Sequence, residues 1–331
     1  AEQPRPSRRQ ILLGAAAGTA LVAAPGRARA TANTPTVAII GGGIAGLSCA
    51  LTLLDKGIES TVYEASARLG GRMFSNRTGY WSAGQVSEWG GELIDSGHAT
   101  VQELAGRFNL PVDDLFAFQP SGSEEVYRID GQYYPKAQAD ADFDAIYRTV
   151  RNDLRDAPFP TTWDSYTTAG ATLDAMSVYD WIESRVPGGH SSPLGQVLDI
   201  AYGIEYGADT CDQSALNLLY LLAFQPRPFN HTFSAFGESD ERYHIRGGNQ
   251  RLPEAIAAHL GSRVVTGERL VKLKETAGGR YRCSFERGSQ TVDRTFDYVV
   301  LALPFAAYTF DYAQAGFDPL KQQAIDELGR G

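Results

Sequence analysis

At 331 residues, 43% hydrophobic and 21% charged, the chain has the composition of a soluble globular protein with room for two cores, and nothing in it reads as disordered. Its formal charge is −9 with no basic tract beyond the first thirty residues, which opposes a phosphate backbone and excludes nucleic acid as an expected partner. Cys49, Cys211 and Cys283 are too far apart for a disulfide framework or a zinc site, and His98, His190, His231, His244 and His259 show no metal-ligand spacing; each histidine is expected at the surface or in a structural hydrogen bond.

The chain opens with Ser7, Arg8 and Arg9, a mildly apolar run from Ile11 to Ala24, Pro25, and an A-x-A ending at Ala30, the layout of a twin-arginine export signal over residues 1–30. The run is shorter than the ~20 residues a membrane span needs and is rich in Ala and Gly. Export through such a signal delivers a folded, cofactor-loaded protein to the periplasm or beyond, and no membrane span is expected in what remains.

Thr36 to Ile40 is a short apolar run that predicts a strand buried on both faces. Gly41, Gly43 and Gly46 follow in G-x-G-x-x-G spacing. Ile44 to Lys56 has helical composition and stops at Gly57, and Thr61 to Tyr63 predicts a second strand closing on Glu64. In such a unit Gly41 permits the tight turn, Gly43 lets the backbone approach a pyrophosphate, and Gly46 lets helix and strand pack closely. The helix N-terminus offers free N–H groups and partial positive charge to the phosphates. Glu64 can accept both ribose hydroxyls and would repel a 2′-phosphate, so NADP is disfavoured while FAD and NAD stay open.

The next motif divides them. In "EASARLGGRMFS" a second pair of glycines, Gly70 and Gly71, precedes Arg72, whose forked guanidinium suits a diphosphate. With the first motif this resembles the flavin-containing amine oxidase superfamily of monoamine, polyamine and L-amino acid oxidases, and the resemblance recurs through residues 35 to 331. "SEWGGELIDSGH" resembles the segment beside the flavin ring, which implies that Gly90, Gly91, Glu92 and Leu93 lie against the cofactor. "RGGNQRLPEAIAAHL" resembles a glycine loop and helix leading back to the cofactor domain, and "ERLVKLKE" a strand whose Val271 backbone would hold the adenine edge. "FDYVVLALPF" resembles the strand returning to the parallel sheet. The same matching implies diphosphate contacts from Ile44 and Ala45 and a ribose-side contact from Ala65. FAD is therefore the expected cofactor.

Between these segments, Val112 to Ser239 has another texture. Phe143, Ile146, Val150 and Leu154 recur at helical spacing, and "SALNLLYLLAF" predicts an almost wholly apolar helix. The expected architecture is α/β: a Rossmann-type FAD-binding domain in two parts, 35–111 and 240–331, with a parallel sheet and an antiparallel meander, and an inserted, mostly helical substrate domain over 112–239. The meander is predicted over Leu270 to Lys274, Arg280 to Phe285 and Thr291 to Phe296, followed by a parallel strand over Tyr298 to Leu303.

The resemblance implies removal of a hydride equivalent from the carbon beside an amine or L-amino acid nitrogen, an imine that water hydrolyses, and O2 reduced to H2O2. Glu92 can pair with a substrate ammonium, or equally hydrogen-bond local backbone or the flavin ribityl chain. Tyr202, Glu205 and Tyr206 in "AYGIEYG" can line a cavity, although aromatics on a helix are more often core. Arg246 can be an ordinary salt-bridge residue. Two departures from the family pattern stand out. Leu93 occupies the place where related L-amino acid oxidases carry an arginine for the substrate carboxylate, which tilts the reading toward a simple amine. "AIDELGRG" resembles the stretch just before the family's lysine near the flavin N5, so the chain as given is expected to bind FAD poorly and turn over slowly or not at all. The rival readings are a same-fold desaturase or protoporphyrinogen-type oxidase, an NAD-dependent dehydrogenase, and a non-catalytic nucleotide-binding scaffold.

Overall fold

Strand β1 (Val37–Ile40) is buried at every residue, as its unbroken apolar run demands. In the computed structural model, which describes residues 35–327, β1 leads through the glycine turn into α1 (Ile44–Asp55) and back to β2 (Ser60–Glu64), parallel to β1 with Ile40 opposite Tyr63. Lys56 caps α1, and Gly57 follows at φ +71°, a left-handed stop that costs glycine nothing. The predicted crossover unit is present at nearly its predicted boundaries.

The chain then forms a short ladder of β3 (Ser75–Asn76) and β4 (Ser87–Glu88), α2 (Ala99–Arg107) and β5 (Val112–Asp114). A hairpin of β6 (Tyr127–Ile129) and β7 (Gln132–Tyr134) precedes the helices α3 (Lys136–Asp156), α4 (Thr168–Ala175), α5 (Val178–Arg185), α6 (Pro193–Tyr206) and α7 (Ala215–Leu222). β8 (Tyr243–Ile245) pairs antiparallel with β5, and α8 (Arg251–Leu260), β9 (Val264–Thr266), β10 (Arg269–Glu275), β11 (Tyr281–Arg287), β12 (Gln290–Phe296), β13 (Tyr298–Leu301), β14 (Asp311–Gln314) and α9 (Pro319–Glu327) complete the fold.

A parallel sheet runs in the order β13-β1-β2-β9, and a second sheet in the order β12-β11-β10-β14. The meander β10–β12 matches the sequence reading. Strands β9 and β14 lie outside it: each is only three or four residues long and is held by the edge it joins rather than by its own pattern. The two faces of β1 serve different cores. Val37 and Ile39 pack with Leu47 and Leu51 of α1 and Leu252 and Ile256 of α8, while Ala38 and Ile40 share a core with Leu273, Phe285 and Phe296 of the meander.

A third core belongs to the helices. Phe143, Ile146 and Val150 form the buried face of α3, and α7 is buried along most of its length against it. Trp181 of α5 is fully buried, with its indole N–H donating to Asp153 Oδ2 at 2.9 Å. Ser177 caps α5 by accepting from Asp180 N at 2.9 Å. Ser177→Ala should cost about 1 kcal/mol of stability, readable as a lower urea midpoint at unchanged slope. No helix among the described residues is long and apolar enough to cross a membrane. The twin-arginine segment and the last four residues lie outside the described residues.

Candidate active site

The site begins at the glycine turn. Gly41 has φ +110°, and a Cβ there would sit 2.6 Å from Ala302 O; a Cβ on Gly46 would sit 2.0 Å from Gly41 O. These two glycines are needed for packing. Gly43 differs: a Cβ on it would meet nothing closer than Gly71 Cα at 3.7 Å, so its bareness leaves an open approach rather than filling a contact. Gly43 is also the N-cap of α1, with no side-chain cap and no acid in the first turn. The first N–H groups of the helix, at Ile44 and Ala45, therefore have no acceptor among the described residues.

Glu64 closes β2 beside this turn. Its Oε2 accepts from Gly42 N at 2.7 Å and its Oε1 from Ser66 N at 2.8 Å, which leaves each oxygen a further lone pair for a ribose hydroxyl. Ala65 follows it, exposed. The second glycine pair lies on top of the first: Gly70 N donates to Gly42 O at 2.9 Å, Gly43 and Gly70 form a parallel bridge, and Gly71 at φ +57° brings its backbone against Gly43. Arg72 is exposed, and its guanidinium makes no hydrogen bond or ion pair among the described residues. Its neighbour Arg68 is occupied, donating to Leu69 O and Gly71 O with its guanidinium 4.2 Å from the Phe74 ring centroid. Gly90, at φ +150°, packs on Arg72 O, so the Gly90–Leu93 segment runs directly behind that arginine. Val271 sits at a bulge in β10, skipped between Leu270↔Phe285 and Lys272↔Ser284, which takes its backbone out of the ladder register.

Two cavities lie beside the Gly90–Leu93 segment. One of about 500 Å³ is lined by Gly91, Glu92, Leu93 and the carboxylates of Asp95, Glu205 and Glu241. The other, about 720 Å³, shares Leu93, Phe236, Ser239 and Glu241 with it and continues between the β6–β7 hairpin and α6. Among the described residues, the carboxylates of Glu92, Glu205 and Glu241 have no hydrogen-bond or ion-pair partner. Partial burial, and then the charges of Glu205, Asp95 and Glu92, hold Glu241 above the usual carboxylate range.

The other predicted site residues are distributed unevenly. Glu205 is on the cavity wall. Tyr202 is not: it is fully buried in the helical core, and its hydroxyl donates to Leu218 O and Ala235 O, so its reading as a cavity residue is corrected to a core residue. Tyr206 is also absent from both walls, with its hydroxyl donating to Asn217 O. The period of α6 is the reason, because residues 202 and 206 share the face turned to α7 while 205 lies on another. Arg246 pairs with Asp113 as a surface salt bridge. Four histidines, His98, His190, His231 and His244, lie beside carboxylates, and His259 packs on Phe108. Sequence reasoning missed Phe236 and Glu241, which lie in a stretch without periodicity and reach the cavities only through the fold.

The chain matches the family described as flavin containing amine oxidoreductase over residues 44–331. It belongs to that family. FAD is the cofactor of this flavin-containing amine oxidoreductase family, and the turn, Glu64 and the unpaired Arg72 fit its diphosphate and ribose. Among relatives, the chain is 24% identical to an L-amino acid dehydrogenase of Synechocystis over 88% of its own length and 61% of the relative's. It is 26% identical to a putative flavin-containing monoamine oxidase of Mycobacterium tuberculosis over 76% and 54% of the two chains. In fold it is similar to a putrescine oxidase triple mutant, with a TM-score of 0.71 at 18% identity over 88% of this chain and 63% of that one. Cyclohexylamine oxidase from Brevibacterium oxydans gives a TM-score of 0.70 at 19% identity over the same shares. The chain thus spans between about half and two thirds of these proteins.

Because Arg72 has no protein partner to lose, Arg72→Ala should leave the unfolding midpoint unchanged and weaken FAD binding by about tenfold or more, the worth of a charge-assisted hydrogen bond. Titration of the apoprotein with FAD, followed by quenching of flavin fluorescence, reads both the affinity and the stoichiometry.

Proposed function

We propose that the complete protein oxidises the CH–NH bond of a small amine to an imine, with the electron pair passed to O2 and H2O2 released; water then hydrolyses the imine to a carbonyl compound and ammonia or a smaller amine. The observation that carries this reading is the trio of unpartnered carboxylates, Glu92, Glu205 and Glu241, on the wall of the cavity that Gly91 and Leu93 also line. Such a wall draws an ammonium ion out of water.

FAD, when bound, supplies the two-electron acceptor. The chain's own residues do the rest. The amides of Ile44 and Ala45, Arg72 and Glu64 hold the diphosphate and ribose, with Ala65 beside the ribose and Val271 offering its bulged backbone to the adenine. Gly91, Glu92 and Leu93 border the cavity on the flavin side, with Gly90 next to them, and Phe236 gives both cavities an apolar wall. An amine must be neutral to give up hydride from its carbon, and Glu241, whose carboxyl is pushed up by partial burial and then by the charges of Glu205, Asp95 and Glu92, is the group assigned to take the ammonium proton. In this reading residues 112–239 supply the substrate side, 35–111 and 240–331 the FAD side, and residues 1–30 direct export by the twin-arginine route.

A second substrate, an L-amino acid, is favoured by one observation: the guanidinium of Arg128, on the wall of the larger cavity, has no hydrogen-bond or ion-pair partner among the described residues and can bind a carboxylate. Purification of the full-length protein, inspection of the flavin band at about 450 nm, and peroxide assays across amines and L-amino acids test the proposal. Peroxide from amines supports it, and peroxide only from L-amino acids, lost in Arg128→Ala, moves the second substrate ahead. Bound flavin that is reduced by substrate without peroxide points to another electron acceptor. Flavin with no reduction by either class leaves a desaturase-type enzyme or a scaffold.

A further inference from the structure

The Gly90–Leu93 segment is gripped from one side by the loop that precedes α8. Asn249, 1% exposed, spends its whole side-chain amide there: Oδ1 accepts from Ile245 N at 2.8 Å, while Nδ2 donates to Gly91 O at 2.7 Å and Glu92 O at 2.6 Å. Behind Asn249 lies Glu88, whose side chain is also 1% exposed. Its Oε1 accepts from Asn249 N at 2.9 Å and from His244 Nε2 at 2.8 Å, and its Oε2 accepts from Ser75 Oγ at 2.7 Å. Gln250 N in turn donates to Ser75 Oγ at 3.0 Å. A carboxylate is tolerated at this depth only when its oxygens are met by donors, and here three converge on it. Asn249 consequently has one orientation.

That orientation dictates the direction of two peptide groups. A trans peptide carries its C=O and N–H on opposite edges. With the Gly91 and Glu92 carbonyls both turned to Asn249, the N–H groups of Glu92 and Leu93 project from the opposite edge, away from Asn249, in a segment whose Gly91, Glu92 and Leu93 line the smaller cavity. Neither N–H has an acceptor among the described residues. We infer that Asn249, fixed by Glu88, is a positioning residue that sets the Glu92 and Leu93 amides as a paired hydrogen-bond donor for an acceptor edge of the flavin ring. The inference rests on the proposed placement of FAD along this segment, and it concerns the ring alone, since the phosphate and ribose contacts lie elsewhere.

That separation supplies the test. ADP carries the adenosine and diphosphate of FAD without the ring, so the ratio of FAD to ADP affinity isolates what the ring gains. In the full-length apoprotein, Asn249→Asp keeps the Oδ1 acceptor for Ile245 N but turns a carboxylate oxygen toward two carbonyls, and Asn249→Ala removes the grip altogether. Both should leave ADP affinity within about twofold of wild type and lower FAD affinity by about tenfold, the worth of a hydrogen bond or two. The midpoint potential of the flavin that still binds should fall, because donors to the ring favour its electron-rich reduced form. An unchanged FAD to ADP ratio in Asn249→Asp overturns the inference, as does an equal loss of both ligands. Wild-type protein that binds FAD but oxidises no amine or amino acid sinks the proposed function and leaves this result readable.

Discussion

Arg294→Ala is expected to destabilise the protein by about 3–5 kcal/mol, the cost of leaving a buried charge without its partner. The stranded group is Glu268, whose side chain is 1% exposed and accepts from both guanidinium nitrogens of Arg294 at 2.6 and 3.0 Å. Arg287, 4.0 Å away and largely exposed, is too distant and too hydrated to replace it. The arginine also lies 5.3 Å from the ring centroids of Tyr63 and Phe285, so its removal opens a gap in the meander-side core as well. The hydrogen bonds from Arg294 hold the Glu268 carboxyl below its usual range. A lowered folded-state pKa contributes stability that is present above the unfolded value of about 4.3 and is lost as the pH falls through the folded one. The gap between wild type and Arg294→Ala should therefore be widest near neutral pH and shrink in acid, where the variant's isolated carboxyl takes a proton. Urea unfolding at pH 7 and at pH 4 reads both quantities. A loss below about 1 kcal/mol at pH 7, the range of an exposed ion pair, would show that water reaches Glu268. The damage should extend to the glycine turn, because Glu268 N donates to Glu64 O at 2.9 Å at the end of β2.

The second large effect separates two glycines of one motif. Gly43→Ala should fold and fail to hold FAD, whereas Gly46→Ala should lose stability first and FAD as a consequence. Gly43 has φ −74° and ψ 175°, which any L-residue adopts, and its new Cβ would make only ordinary contact with Gly71. The methyl group would instead stand at the helix end proposed to hold the diphosphate, and affinity should fall about a hundredfold with the loss of charge-assisted bonds there. At Gly46 the Cβ would lie 2.0 Å from Gly41 O, a backbone atom with no rotamer to escape into. Strain of this kind costs about 1–3 kcal/mol or more. Thermal unfolding of the apoproteins, followed by FAD titration, distinguishes the two. If Gly43→Ala binds FAD like wild type, the nucleotide does not cross the helix end.

The first crossover unit was legible in the sequence because all of its constraints are local. Gly41, Gly43, Gly46, Gly57 and Glu64 each answer to a turn, a cap or a strand end within a few residues, and a period-2 or period-3.6 pattern needs no distant partner. The meander was legible for the same reason. The cavity walls were not. Glu205 and Tyr202 lie three residues apart on one helix, and only the packing of α6 on α7 sends the tyrosine to the core and the glutamate to the cavity. Glu241 and Phe236 carry no pattern at all. Glu88 and Asn249 are separated by 161 positions and meet through a backbone donor. Each is an ordinary polar residue in a segment already marked for other reasons, and their joint task exists only once the two segments touch.

Strand β1 has a consequence for how this protein tolerates change. Its odd-numbered residues fill one interior and its even-numbered residues another, so an exchange of Ile39 for Val trims one side by a methylene and is absorbed there. Deleting a single position is a different event. It hands Ala38 to the helices and a larger neighbour to the meander, and both interiors are misfilled at once. Apolar exchanges of similar volume should be tolerated within this strand while insertions and deletions are purged, so its length is under stricter control than its letters.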